Sequence, residues 1–128
     1  MLLSREDIIN ANDLPFQDVE VPEWGGTVRV STMSGTAREE WEIMVFGKDA
    51  KSRNTSNMRG KLVACTLIDE NGNLLFTVED IEKLGKKSST ALDRVFAVAQ
   101  ELNGFGANAV DDAVGNSKAA PVDSSISA

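Results

Sequence analysis

Apolar and polar positions change spacing several times along this chain, and each change predicts a new element. Ser4-x-x-Asp7, a serine with an acid three residues on, precedes Ile8 and Ile9 and predicts a short capped helix ending before Pro15. Between residues 18 and 33 the period drops to two: Val19 and Val21 alternate with acids, and Val28 and Val30 flank Arg29. Two alternating runs joined at Gly25-Gly26 predict a β-hairpin, because glycine accepts positive φ at both turn positions. Pro22 cannot donate to a ladder, which puts the first strand at a sheet edge. A lone hairpin is marginal in water, so it must lie on helices or pair with another subunit.

From Ser34 or Thr36 the spacing becomes helical. Ala37, Trp41, Met44 and Val45 share one face, Arg38, Glu39, Glu40 and Glu42 the other, and Gly47 stops the run. Residues 48–57 are polar and predict a loop. Met58, Leu62, Cys65 and Ile68, widened by Val63 and Leu67, predict a second buried helix. Asp69-Glu70-Asn71-Gly72-Asn73 predicts a turn, with Leu74-Leu75-Phe76 extended after it. Thr77-x-x-Asp80 opens a short helix through Ile81 and Leu84, closed by Gly85. Ser88 or Ser89 caps the most regular stripe in the chain, Leu92, Val95, Phe96, Ala99 and Leu102, which Gly104 and Gly106 break. Residues 107–114 predict one or two further helical turns. From Gly115 onward the chain is small and polar, which predicts a disordered tail. The expectation is an α+β fold, mostly α-helical: one domain over residues 1–115 with an N-terminal β-hairpin, and a flexible tail over 116–128.

Composition narrows the function. In 128 residues there are two Trp, five Phe and no Tyr, so the core must be mostly aliphatic. The formal net charge of −7 repels polyanions and anionic membranes, so neither nucleic acid nor membrane is expected as a partner. No stretch approaches the roughly 20 apolar residues that span a bilayer, and the start of the chain turns acidic at once, so a cytoplasmic location is expected.

Histidine is absent, which removes the commonest general base and metal ligand together. Cys65, the single cysteine, excludes an intrachain disulfide and falls on an apolar stripe, where it is expected to be buried and inert. Lys86-Lys87-Ser88-Ser89 reads as a solvated helix start and cap rather than a Ser–Lys dyad. Paired acids such as Glu39–Glu40 and Glu79–Asp80 read as solvated helix faces. Counting from Asp69, glycine falls at position four of a would-be calcium loop and Asp80 at twelve, so the EF-hand spacing fails. No phosphate-loop or dinucleotide glycine pattern occurs. Neither catalysis nor a metal or cofactor is expected.

Charge geography and one aromatic remain. Residues 1–23 carry Glu6, Asp7, Asp13, Asp18, Glu20 and Glu23 against Arg5, whereas residues 48–61 carry Lys48, Lys51, Arg53, Arg59 and Lys61 against Asp49. Either these are ordinary surface charges, or they meet across a subunit boundary and steer head-to-tail association. Trp24 beside the Gly-Gly turn is either an exposed interface anchor or folded back as core, whereas Trp41 is expected in the core. Trp24, Val28, Val30, Lys48, Lys51, Arg53, Asp18 and Glu20 are thus the candidate partner-binding residues.

These segments together resemble the tail assembly chaperones of long-tailed bacteriophages. The resemblance is carried by Val19-Glu20-Val21-Pro22-Glu23-Trp24-Gly25-Gly26-Thr27-Val28-Arg29-Val30, Gly35-x-x-Arg38-Glu39 and Lys61-Leu62-Val63-Ala64. It continues through Ile68 to Thr77, Leu84-Gly85-Lys86-Lys87-Ser88 and Leu92-Asp93-Arg94-Val95-Phe96-x-x-Ala99. It implies a protein that oligomerises, binds the tape measure protein and tail tube protein in the host cytoplasm, and is absent from the mature virion. It also implies a possible longer form made by ribosomal frameshifting. The alternative from the residues alone is a small adaptor or regulatory domain that binds one protein without assembling. A third is a hydrolase using Ser or Asp, which would need converging carboxylates in a closed polar pocket.

Overall fold

The computed structural model describes residues 1–47 and 56–105. Helix α1 (Arg5–Ile9) is followed by strands β1 (Phe16–Val21) and β2 (Gly26–Ser31), helices α2 (Gly35–Phe46) and α3 (Met58–Ala64), strand β3 (Leu67–Ile68), and helices α4 (Ile81–Leu84) and α5 (Ser89–Leu102). The fold is α+β. Its sheet is antiparallel in the order β1-β2-β3, so β1 lies at an edge, as the proline predicted.

The hairpin register runs from Phe16 opposite Ser31 to Val21 opposite Gly26. The turn is not the two-residue glycine turn expected. Pro22–Trp24 form one 3-10 turn, and Gly25 alone takes positive φ, 79°. Gly26 is already paired in β2, and Pro22 belongs to the turn rather than the strand. The connection is therefore two residues longer than Gly-Gly implied, which carries Trp24 off the strand axis.

A second correction concerns the expected helix over residues 58–68. It ends at Ala64, and Leu67–Ile68 pair with Val30 and Arg29 of β2. The apolar spacing at Leu67 and Ile68 fits either period. Here the Thr66 carbonyl accepts the Ser31 N–H at 2.8 Å, and the fully buried Thr66 hydroxyl donates to the Leu62 carbonyl, also at 2.8 Å. The chain thus turns from helix into sheet. Asp69 then accepts the backbone N–H groups of Asn71 and Asn73, an Asx turn with Gly72 left-handed.

Caps fall where the polar residues predicted them. Ser4, Ser34 and Ser88 each accept a backbone N–H from the first turn of α1, α2 and α5, and Thr77 closes a reciprocal box with Asp80. Ser88 is therefore the cap of α5, with its hydroxyl accepting the Ala91 N–H.

One core unites these elements. Val19, Val21 and Val30 on the inner sheet face meet Leu92, Val95 and Ala99 of α5, while Leu62 and Val63 of α3 join them to α2. Trp41 is 3% exposed, edge-on to Phe46 and 5.1 Å from Phe105. Cys65 is buried too. The α1 segment stands apart, because none of its residues is buried.

Asn57 is one residue the sequence pattern did not flag. It sits at φ 51°, caps α3 through the Gly60 N–H, and donates its amide to the Ile81 carbonyl at 2.8 Å. It fills the space above Gly60 and Gly85, where an added Cβ would lie 2.5 and 2.7 Å from its side chain. One asparagine thus clips α3 to α4.

Candidate partner-binding surfaces

Two surfaces stand out for interaction, a pocket beneath the hairpin turn and the apolar segment before β1. The pocket has a volume of about 490 Å³. Trp24, Phe76 and Leu84 line it with apolar surface, and Glu23, Asp80, Lys83 and Lys87 form its polar wall. The side chains reach it from three directions: the hairpin turn, the irregular segment at Phe76, and α4 with the turns on either side of it. That volume lies within the roughly 300–1,000 Å³ common for ligand sites.

The turn is held in place electrostatically. Arg94 of α5 donates to both carboxylate oxygens of Glu23, at 2.5 and 3.2 Å, and the guanidinium keeps the Glu23 carboxyl below its ordinary pKa. Trp24 is half-buried: one side packs on the core and another lines the pocket. Its indole N–H has no acceptor among the described residues.

On the opposite, outer face of the sheet, Arg29 forks onto Asp18 at 2.7 and 3.1 Å across the β1–β2 ladder. It also lies 4.1 Å from the Phe16 ring centroid. The hydrogen-bonded Arg29 lowers the Asp18 pKa. Glu20 is exposed on the same face.

The candidates from sequence separate accordingly. Trp24 lines the pocket. Asp18 and Glu20 are exposed, although Asp18 already has an intrachain partner. Val28 is half-buried, and Val30 is fully buried on the inner sheet face, so Val30 is core and presents no surface. Lys48, Lys51 and Arg53 lie outside the described residues. Of the remaining basic cluster, Arg59 pairs with Asp93, and Lys61 is buried with its ammonium 3.5 Å from the Met44 carbonyl. Desolvation lowers the Lys61 pKa. Of the two described cations of this run, Arg59 is exposed and Lys61 is buried.

Sequence spacing missed Phe76, Lys83 and Lys87 as neighbours of Trp24, because they share a site only through the turn geometry. It also missed how far the N-terminal apolar residues stand in the open. Met1, Leu2, Leu3, Ile8 and Ile9 are each at least 59% exposed.

Among the described residues, no group of three or more Cys, Asp or Glu side chains is placed to hold a metal ion. No helix among them is long and apolar enough to cross a membrane.

With this geometry in view, comparison with known proteins places the molecule. A family model of phage tail assembly chaperones matches residues 4–116, and the chain belongs to that family. Its fold is similar to the solved structure of the bacteriophage HK97 tail assembly chaperone, with a TM-score of 0.54 and 24% identity. The likeness covers 76% of this chain and 94% of that one. A search of curated proteins finds no match.

Proposed function

We propose that this chaperone associates with itself and holds the tape measure protein and tail tube subunits in the host cytoplasm during tail assembly, without entering the finished particle. The observation that supports this most directly is the N-terminal segment. Met1, Leu2, Leu3, Ile8 and Ile9 are all solvent-exposed within the first nine residues. A concentration of exposed apolar side chains favours a protein-contact site. A tail component presenting apolar surface of its own would be shielded by it until assembly. The missing imidazole and the solvated acid pairs fit a binding role better than a reaction.

Co-expression of the tagged chain with the tape measure and tube proteins, followed by pull-down and native mass spectrometry, tests this. Recovery of both partners with a self-associated chaperone supports it. Capture of one partner by a strict monomer would favour the adaptor reading. Failure to capture either overturns the proposal, and finding the chain in purified virions overturns the claim that it leaves.

A further inference from the structure

We propose that Asn71-Gly72 is a self-modifying site. The Asn71 side chain closes onto the Gly72 backbone nitrogen, sheds ammonia and reopens as isoaspartate, which releases the segment that brings Phe76 into the Trp24 pocket.

Asn-Gly occurs twice in the chain, at residues 71–72 and 103–104. Glycine has no Cβ, so its nitrogen is unobstructed and its backbone turns freely toward the preceding amide. By sequence alone both pairs are labile. The structure separates them. Both glycines sit at positive φ, 87° and 79°, and each N–H donates to the carbonyl three residues back, at 3.0 and 3.2 Å. The two attacking nitrogens are thus held alike, and the side chains decide. Asn103 is half-buried with its amide engaged at both ends: Oδ1 accepts the Met33 N–H at 2.7 Å, and Nδ2 donates to the Ala99 carbonyl at 2.8 Å. Asn71 and Gly72 are both exposed, and the Asn71 side-chain amide makes no hydrogen bond among the described residues. Beyond its chain neighbours, no heavy atom lies within 4 Å of where a Cβ on Gly72 would stand.

The reaction balances with water alone. The Gly72 nitrogen gives its proton to solvent and its electron pair forms a bond to Asn71 Cγ. The Cγ–Nδ2 bond breaks, and Nδ2 takes up a proton and departs as ammonia. Water then opens the five-membered imide. Addition at the main-chain carbonyl of residue 71 routes the chain through Cγ as isoaspartate, whereas addition at Cγ gives aspartate. Either product sets a new carboxylate beside Asp69 and Glu70.

The bonds that hold this turn are local. The Asp69 carboxylate accepts the N–H groups of Asn71 and Asn73 at 2.8 and 3.0 Å, and the Asp69 N–H donates to the Asn73 carbonyl at 2.8 Å. Past the turn, Ile68 bridges Leu74, and the Leu75 N–H donates to the Leu67 carbonyl at 3.0 Å. An isoaspartyl link adds one main-chain carbon inside this loop, and its charge repels the Asp69 carboxylate, so the pairing is lost as a set. Phe76 follows directly and loses its fixed place in the pocket wall.

The test ages the full chain in mildly alkaline buffer, which favours loss of the Gly72 amide proton. Pepsin digestion in acid and mass spectrometry with electron-transfer fragmentation then distinguish isoaspartate from aspartate at each site. Asn71 should convert at least about tenfold faster than Asn103, whose amide must first give up two hydrogen bonds. In guanidinium chloride the two rates should converge. In the isoaspartyl fraction, amide protection at Leu75 should be lost while that of α5 persists. Asn71→Gln, with folding confirmed by circular dichroism, should keep its Leu75 protection through ageing, because the longer side chain must close a less favourable six-membered ring. If Asn71 reacts no faster than Asn103 in the folded chain, or the same difference persists when the chain is unfolded, the site is overturned. If isoaspartate forms and Leu75 stays protected, the release of Phe76 is overturned.

Discussion

The guanidinium of Arg94, midway along α5, grips both carboxylate oxygens of Glu23 at the hairpin turn, 71 residues away in sequence. This fork fixes the height of the turn above the helix and so sets how Trp24 lines its pocket. The pair is partly exposed and adds little to global stability. Its effect is local. In Arg94→Ala, amide exchange at residues 23–26 should accelerate while protection in α5 is unchanged. Because Arg94 lowers the Glu23 pKa, the contact is fully present above the ordinary value of 4.5 and is lost as pH falls through the folded value. Turn protection in the unaltered chain should therefore weaken only on acidification, and in Arg94→Ala it should show no such step.

Trp41 is the largest side chain committed to the core, packed on Phe46 and Phe105. Trp41→Ala should cost about 3–5 kcal/mol, measured by urea unfolding. A change below about 1 kcal/mol would mean that the site collapses around the void. Trp41→Phe should cost less, since it keeps a ring against Phe46.

Cys65 should be silent toward alkylation in the native state and react after unfolding. Burial, with the nearby Glu40 charge adding to it, raises its thiol pKa from 9.0 to about 11. The raised value carries a sign. Between pH 9.0 and about 11 the unfolded chain ionises while the folded chain keeps its proton. The contribution is therefore full below pH 9.0 and lost as pH rises through that window. Cys65→Ala should remove this part of the alkaline slope; an unchanged slope would place its origin elsewhere.

Asn57 predicts a coupled set. Asn57→Ala forfeits the α3 cap, about 0.5–2 kcal/mol, and puts alanine in a left-handed conformation it disfavours. Asn57→Gly should cost less, because glycine accepts φ 51° freely. Gly60→Ala should destabilise on its own, yet become milder in the Asn57→Gly background, where the obstructing amide is gone. Chemical denaturation of the four species gives the coupling directly, and strict additivity would contradict the clip.

The elements that were readable from sequence are those in which local chemistry and burial agree. Ser34, Ser88 and Thr77 announce helix starts because their oxygens satisfy first-turn N–H groups wherever the rest of the chain goes. The stripe from Leu92 to Ala99 is unambiguous because it runs for several turns. Where a run is short, a partner decides: Leu67 and Ile68 became strand because β2 offered an edge. Val30 looked like a contact residue for the same reason, since alternation identifies two faces without telling which one is covered. The pocket was illegible for a different cause. Trp24, Phe76 and Lys83 are brought together by a turn longer than its glycines imply and by a short helix, α4, that Asn57 bonds at Ile81, and neither leaves a periodic trace.

Strand β1 has one free edge, and a proline stands at each end of it, Pro15 before and Pro22 after. Neither proline can donate a hydrogen bond to a neighbouring strand. A foreign strand laid along this edge therefore finds six residues of ladder and no way to lengthen it. The two prolines thus bound the open edge of the sheet, a covalent limit on how far edge-to-edge pairing can run.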